Sequence, residues 1–97
     1  MNPQDEAVRA RQTEFALTFP SLLGAPGVSP WDAIELNRWA VSGVSHGEQL
    51  TTQFVLAVWD RYTDWEAGRF DAMEALAVWD LAHRQAFLEW ASNPWWS

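Results

Sequence analysis

The fold is decided by residues 50–91, which read LTTQFVLAVWDRYTDWEAGRFDAMEALAVWDLAHRQAFLEWA. Apolar residues recur there every three or four positions, which predicts two amphipathic helices. Gly68 lies between them and predicts a turn, because glycine ends helices at little steric cost. We therefore expect an antiparallel helical hairpin, with helices over residues 46–64 and 72–92.

The same pentapeptide, LAVWD, occurs in both predicted helices, at residues 56–60 and 76–80. Only these five residues match well between the two segments, so the repeat does not indicate a solenoid array. We interpret it as two helices that pack against the rest of the domain in the same way.

Capping patterns define the starts of both hairpin helices. Ser45 is followed at the third position by Glu48, and Asp71 is followed in the same way by Glu74. In such a capping box the first side chain accepts a backbone N–H from the fourth residue, which satisfies an otherwise free donor. These two sites therefore predict helix N-termini.

Two further helices are predicted before the hairpin. Asn2 is a good cap for a helix over residues 3–19, which Pro20 ends. Ser29, followed by Pro30, predicts a second helix over residues 30–42. No stretch alternates as a strand would, so we predict an all-α fold: one compact four-helix domain of residues 1–97 with a tail at 93–97.

Charge and composition exclude several classes of function. The net charge is −7, with six arginines and no lysine, which disfavours nucleic acid and anionic membranes as direct ligands and permits basic protein partners. No cysteine is present, so disulfides and thiolate chemistry are excluded. The N-terminus does not resemble a signal peptide and no apolar run is long enough to span a bilayer, so a cytoplasmic protein is expected.

Eight tryptophans are more than one small core requires. We assign Trp59, Trp79 and Trp90 to the core, because they follow the apolar stripes of the hairpin helices. Four others lie at helix ends or turns, where a partner can reach them. With two acids of the hairpin turn they make the predicted partner-binding set: Trp31, Trp65, Trp95, Trp96, Asp64 and Glu66.

The tail leaves two alternatives open. Trp95 and Trp96 follow Pro94, which ends the last helix. The tail either folds back over the end of the bundle, or exposes at least one tryptophan as an anchor for a partner. Tryptophan is enriched at interface hot spots, so we favour the second alternative as the functional hypothesis.

The predicted function is therefore a small acidic interaction or regulatory module that presents a tryptophan-rich apolar patch. Its partner would be a protein of basic character or a second copy of the chain, as a homodimer. An alternative is an inhibitor whose acids imitate a nucleic-acid backbone and block a basic nucleic-acid-binding protein. The acids in question also fit a solvated face with helix-start carboxylates: Asp60, Asp64, Glu66, Asp71, Glu74 and Asp80.

Catalytic chemistry has little support in the sequence. Only His46, Glu48 and His83 suggest a metal or acid–base site, a second alternative, and their spacing is not diagnostic. No serine lies in a nucleophile-elbow motif. We predict no enzyme activity, cofactor or metal, and assign four serines to turns and caps: Ser21, Ser29, Ser42 and Ser45.

Overall fold

The computed structural model describes the backbone of residues 3–97 and the side chains of residues 5–97. Asn2, the predicted first cap, lies outside that range. Within it the chain is helical and contains no strand, so the predicted all-α class is confirmed. The helices are α1 (Pro3–Ala16), α2 (Ala33–Ala40), α3 (His46–Trp59), α4 (Ala72–Val78) and α5 (Leu81–Ser92), with a 3₁₀ turn at Pro20–Leu22.

Helix α3 is the centre of the bundle. It begins after Ser45, whose hydroxyl accepts the Glu48 N–H at 3.1 Å, while the Glu48 carboxylate accepts the Ser45 N–H at 2.9 Å. The predicted capping box is thus confirmed. Helices α1, α2 and α4 and the 3₁₀ turn all contact α3. It therefore supplies the surface against which the rest of the chain buries its apolar side chains.

An aromatic cluster around Phe54 fills the core. Phe54 is 3% exposed, and its ring centroid lies between 4.8 and 6.2 Å from six other aromatic rings. Most of these pairs meet edge to face, an arrangement that aromatic quadrupoles favour. The six rings come from four separate parts of the chain: Phe15, Phe19, Phe70, Trp79, Phe87 and Trp90.

The predicted hairpin is not formed as two long helices. The first ends at Trp59 instead of residue 64, so residues 60–71 form a loop with Gly68 at φ +99°. The second is divided into α4 and α5, because Trp79 and Asp80 adopt extended backbone with ψ of 142° and 177°. The expected boundaries are wrong at these two places.

Both copies of LAVWD end a helix, and their aspartates then cap the segment that follows. Asp60 accepts the Tyr62 N–H at 3.0 Å and the Thr63 hydroxyl at 2.6 Å. Asp80 accepts the His83 N–H at 3.0 Å as the N-cap of α5. Aspartate favours caps over helix interiors because its carboxylate competes for backbone donors. The repeat is therefore a shared way of ending one segment and starting another.

Acid is expected to weaken the fold through these two caps. The Thr63 hydroxyl and the Tyr62 N–H lower the pKa of Asp60, and the His83 backbone N–H and then its ring lower the pKa of Asp80. Both folded-state pKa values lie below the ordinary 3.8. These carboxylates therefore stabilise the fold above that pH, and the stabilisation is lost as pH falls through the lowered values.

Thermal unfolding followed by circular dichroism between about pH 7 and about pH 2.5 measures this loss. Asp60→Asn should have a lower Tm at neutral pH and a shallower fall in acid than wild type. Asp64→Asn, an exposed carboxylate on the same loop, is the matched control. An acid transition equally steep in wild type and Asp60→Asn would contradict the assignment.

The first two helices are also shorter than predicted. α1 ends at Ala16, three residues before the expected end, and residues 17–19 form turns ahead of Pro20. α2 begins at Ala33 and not at Pro30, because Asp32, not Ser29, is its cap and accepts the Glu35 N–H at 3.1 Å. In the described chain, no helix is long and apolar enough to cross a membrane.

Candidate functional site

A groove of about 620 Å³ lies between α1, α5 and the tail. We call it the tail groove. Its aromatic lining is Phe15, Trp90 and Trp95, and its charged lining includes Glu14 and Glu89. The volume is within the range of ordinary ligand pockets, and the mixture of aromatic surface and a few polar groups is typical of them.

Trp95 lies in this groove because three contacts hold it there. Its ring centroid is 5.1 Å from that of Phe15, and the Arg11 guanidinium lies 3.9 Å above it. The Trp90 indole N–H donates to the Trp95 carbonyl at 2.9 Å. The tail therefore folds back over the end of the bundle, which is the first of the two alternatives drawn from the sequence.

The end of the tail is tied to a buried amide. The Ser97 N–H donates to the Val58 carbonyl at 3.0 Å, and its hydroxyl donates to Gln12 Oε1 at 2.9 Å. Gln12 is 0% exposed and donates its own side-chain N–H to the Val55 carbonyl at 3.1 Å. The tail thus satisfies an acceptor in the core that would otherwise lack a partner.

Trp96 differs from Trp95 because it remains 48% exposed. Its ring meets the Trp90 ring nearly at right angles, with centroids 5.3 Å apart. The Arg61 guanidinium lies 5.3 Å from the centre of Trp96 and 5.0 Å from that of Tyr62, to whose hydroxyl it donates at 2.8 Å. We call Arg61, Tyr62 and Trp96 the Trp96 surface. All three residue types are enriched at interface hot spots.

The other predicted partner-binding residues occupy different positions. Trp31 is 4% exposed and packs 5.4 Å from the Trp59 ring, so its expected place on the surface is wrong. Trp65 is half-buried, and its indole N–H donates to the Asp60 carbonyl at 3.0 Å. Asp64 and Glu66 are exposed on the same loop.

Arg61 and Tyr62 connect this loop to the tail. Both line a hollow of about 330 Å³ that Asp64 and Trp65 also line. Arg61 and Tyr62, which we did not predict from the sequence, therefore lie between two groups of predicted residues. These groups are Trp65 with Asp64 on the loop, and Trp95 with Trp96 in the tail. Tyr62 becomes a surface residue because α3 ends at Trp59 and residues 60–63 lie beyond the helix. Its side chain is 84% exposed.

Of the tryptophans assigned to the core, Trp79 is 5% exposed. Trp59 and Trp90 are half-buried and pack against the core from its edge. Trp90 thus contacts the core, since its ring packs against Phe54, and it also lines the tail groove. Its ring also contacts Trp96, so it lies between the core and the Trp96 surface.

The two histidines bind different acids. His46 Nε2 lies 2.9 Å from Glu74 Oε1, and His83 Nδ1 lies 2.7 Å from Asp80 Oδ1. Across residues 5–97, no three acids or histidines are grouped so that they hold a metal ion. The geometry gives no support to a metal site built from His46, Glu48 and His83.

Most acids of the hairpin region have partners within the fold. Asp60, Asp71 and Asp80 cap backbone segments, and Glu74 pairs with His46. These four carboxylates are therefore hydrogen-bonded within the fold, whereas Asp64 and Glu66 are exposed on the loop.

Comparison with protein-family models, curated proteins and solved structures finds no match.

Proposed function

We propose that the protein is an interaction module that binds a basic, amphipathic protein segment along the tail groove, with Trp96 as the anchor. The observation that supports this most directly is the half-exposed Trp96 ring, held between Trp90 and Arg61. An aromatic ring that is already immobilised loses little conformational entropy on binding. Its exposed apolar area is available to a partner.

The lining of the groove defines the chemistry of the partner. Phe15, Trp90 and Trp95 would accept aliphatic side chains, and the exposed carboxylates of Glu14 and Glu89 would pair with lysine or arginine. Arg11 is committed to the Trp95 ring. The net charge of −7 adds a long-range attraction for a basic segment.

Trp96→Ala is expected to weaken binding about 30-fold, because a hot-spot tryptophan contributes on the order of 2 kcal/mol. A displayed library of random peptides, selected on the wild-type protein, would supply the ligand. We expect enrichment of lysine and arginine beside aliphatic residues. Titration calorimetry with the selected peptide measures the loss, and the Tm should stay unchanged.

Met73→Ala is the matched control, because Met73 is 79% exposed on α4 and outside the tail groove. Glu89→Gln should reduce both affinity and its salt dependence. Selected peptides without basic residues, or equal binding by wild type and Trp96→Ala, would contradict the proposal. Concentration-dependent sedimentation of the free protein, lost in Trp96→Ala, would instead identify a second copy as the partner.

Nucleic-acid mimicry stays a prediction from the sequence. It would require binding that fails on acid-to-amide changes at Asp64 and Glu66 and survives Trp96→Ala.

A further inference from the structure

Three side chains outside the tail groove form a connected relay. Ser21 Oγ lies 2.9 Å from His83 Nε2, and His83 Nδ1 lies 2.7 Å from Asp80 Oδ1. Ser21 belongs to the 3₁₀ turn, whereas Asp80 and His83 belong to the start of α5, so the fold brings together residues 62 positions apart. From the sequence alone Ser21 is a turn residue, with nothing that pairs it with Asp80 or His83.

The direction of the protons follows from fixed donors. The Ser21 backbone N–H points at His83 Nε2 at 3.2 Å, and a backbone N–H can only donate. Nε2 therefore carries the lone pair, and Nδ1 carries the hydrogen that it donates to Asp80. Hydrogen bonds from the His83 backbone and ring lower the pKa of Asp80, which keeps that carboxylate ionised. The ring is thus oriented as a base toward Ser21.

Thr51 and His83 are the two possible acceptors of the single Ser21 hydroxyl hydrogen. The Thr51 hydroxyl donates to the Gly47 carbonyl at 2.8 Å and accepts the Trp79 indole N–H at 2.9 Å. The single Thr51 hydroxyl hydrogen is therefore used by Gly47. Thr51 Oγ1, 3.3 Å from Ser21 Oγ, can only accept a hydrogen bond from Ser21. The shorter contact of the Ser21 hydroxyl is with His83 Nε2.

A hollow of about 230 Å³ gives access to this relay. Ser21, Gly47, Val78 and His83 line it, and Ser21 is half-buried. The volume is below that of a drug-sized pocket, so it suits a short acyl group. Gly47 lies in the first turn of α3, where backbone N–H groups have no acceptor within the helix.

We propose that Ser21 is an activated nucleophile that attacks small acyl esters, with His83 as its base and Asp80 as the positioning residue. The Ser21 oxygen bonds to the acyl carbon and its proton passes to His83 Nε2. The ester C–O bond then breaks, and His83 gives this proton to the departing oxygen, which leaves as the alcohol or phenol. Water then attacks the acyl carbon and gives a proton to His83 Nε2. The bond between the acyl carbon and the Ser21 oxygen breaks, His83 returns the proton to that oxygen, and the carboxylic acid is released.

This activity is independent of the interaction proposed for the tail groove. Two probes test it: hydrolysis of 4-nitrophenyl acetate, and labelling by diisopropyl fluorophosphate, in which the serine oxygen bonds to phosphorus and fluoride leaves. We expect one phosphoryl group per wild-type chain, located on Ser21 by peptide mass spectrometry. Ester hydrolysis should fall to the uncatalysed rate in Ser21→Ala.

His83→Asn should slow the labelling by about 10²-fold, the usual contribution of a general base. Ser42→Ala, an exposed serine outside the hollow, is the matched control and should react like wild type. Thermal melts verify that each variant folds, and mapping the label on the wild-type chain needs no variant. No label on wild type, or label spread over several serines, overturns the proposal.

Discussion

Phe54→Ala is expected to lower the free energy of unfolding by about 3–5 kcal/mol, the usual cost of removing a buried aromatic ring. Phe54 is the central ring of the aromatic cluster, with neighbours from α1, the 60–71 loop, the break between α4 and α5, and α5 itself. Its removal leaves a cavity that several separate segments would have to close together. Because small domains have a total stability of about 5–15 kcal/mol, the variant should be close to unfolded.

Urea unfolding followed by circular dichroism measures the loss, and a Tm decrease of about 15–30 °C should accompany it. Tyr62→Ala is the control for removing an aromatic ring at the surface, since Tyr62 is 84% exposed. It should change stability by no more than about 0.5 kcal/mol. Similar losses in the two variants would mean that Phe54 is not packed as described.

Gly27→Ala is expected to have the second-largest effect, on the order of 3 kcal/mol. Gly27 has φ +83°, where a side chain is strained, and an added Cβ would lie 2.5 Å from the Asp32 carbonyl oxygen and 2.6 Å from Leu36 N. Both are backbone atoms at the start of α2, so no side-chain rotation relieves the overlap. The Asp32 N–H also donates to the Gly27 carbonyl at 2.7 Å, and the substitution would separate the two.

Gly24→Ala measures the cost of the positive φ by itself, without an overlap between the added Cβ and other atoms. Gly24 has nearly the same φ, +81°, and an added Cβ there meets no atom within 4 Å. It should cost only about 1–2 kcal/mol, the price of left-handed backbone for alanine. Thermal unfolding of both variants measures the difference. Equal Tm values would show that the contact between residue 27 and α2 is not close.

The sequence predicted those features of the fold that depend on local signals. The caps at Ser45 and Asp71 are present because each side chain reaches backbone donors two or three residues away. The start of α2 was misplaced because Ser29 and Asp32 are both good caps. The choice between them depends on the Gly27–Asp32 hydrogen bond, which is not a sequence signal.

The break between α4 and α5 is not marked by glycine or proline, which residues 72–92 lack. Its local signal is Asp80, a good cap that the prediction placed inside a helix. The break allows the Trp79 indole to reach Thr51 in α3 and the His83 ring to reach Ser21 in the 3₁₀ turn. These are tertiary contacts, and they override helix propensity. Thr51 can be 0% exposed although it is polar, because its hydroxyl is satisfied internally.

The candidate site was predicted in part. Trp95 and Trp96 do lie together at the end of the bundle, because Pro94 turns the chain back after α5. Arg61 and Tyr62 were missed, since their helix was expected to continue to residue 64 and to hold them on its face. The Ser21 relay was also beyond prediction, because it depends on contact between the 3₁₀ turn and α5.

The stacking of Trp79 on His83 has an optical consequence. Their rings lie 6.2 Å apart at an angle of 22°. Trp79 is therefore an intrinsic fluorophore in contact with the His83 ring. The difference between wild-type and Trp79→Phe emission spectra would report in solution, without any added dye, whether the two rings stay in contact.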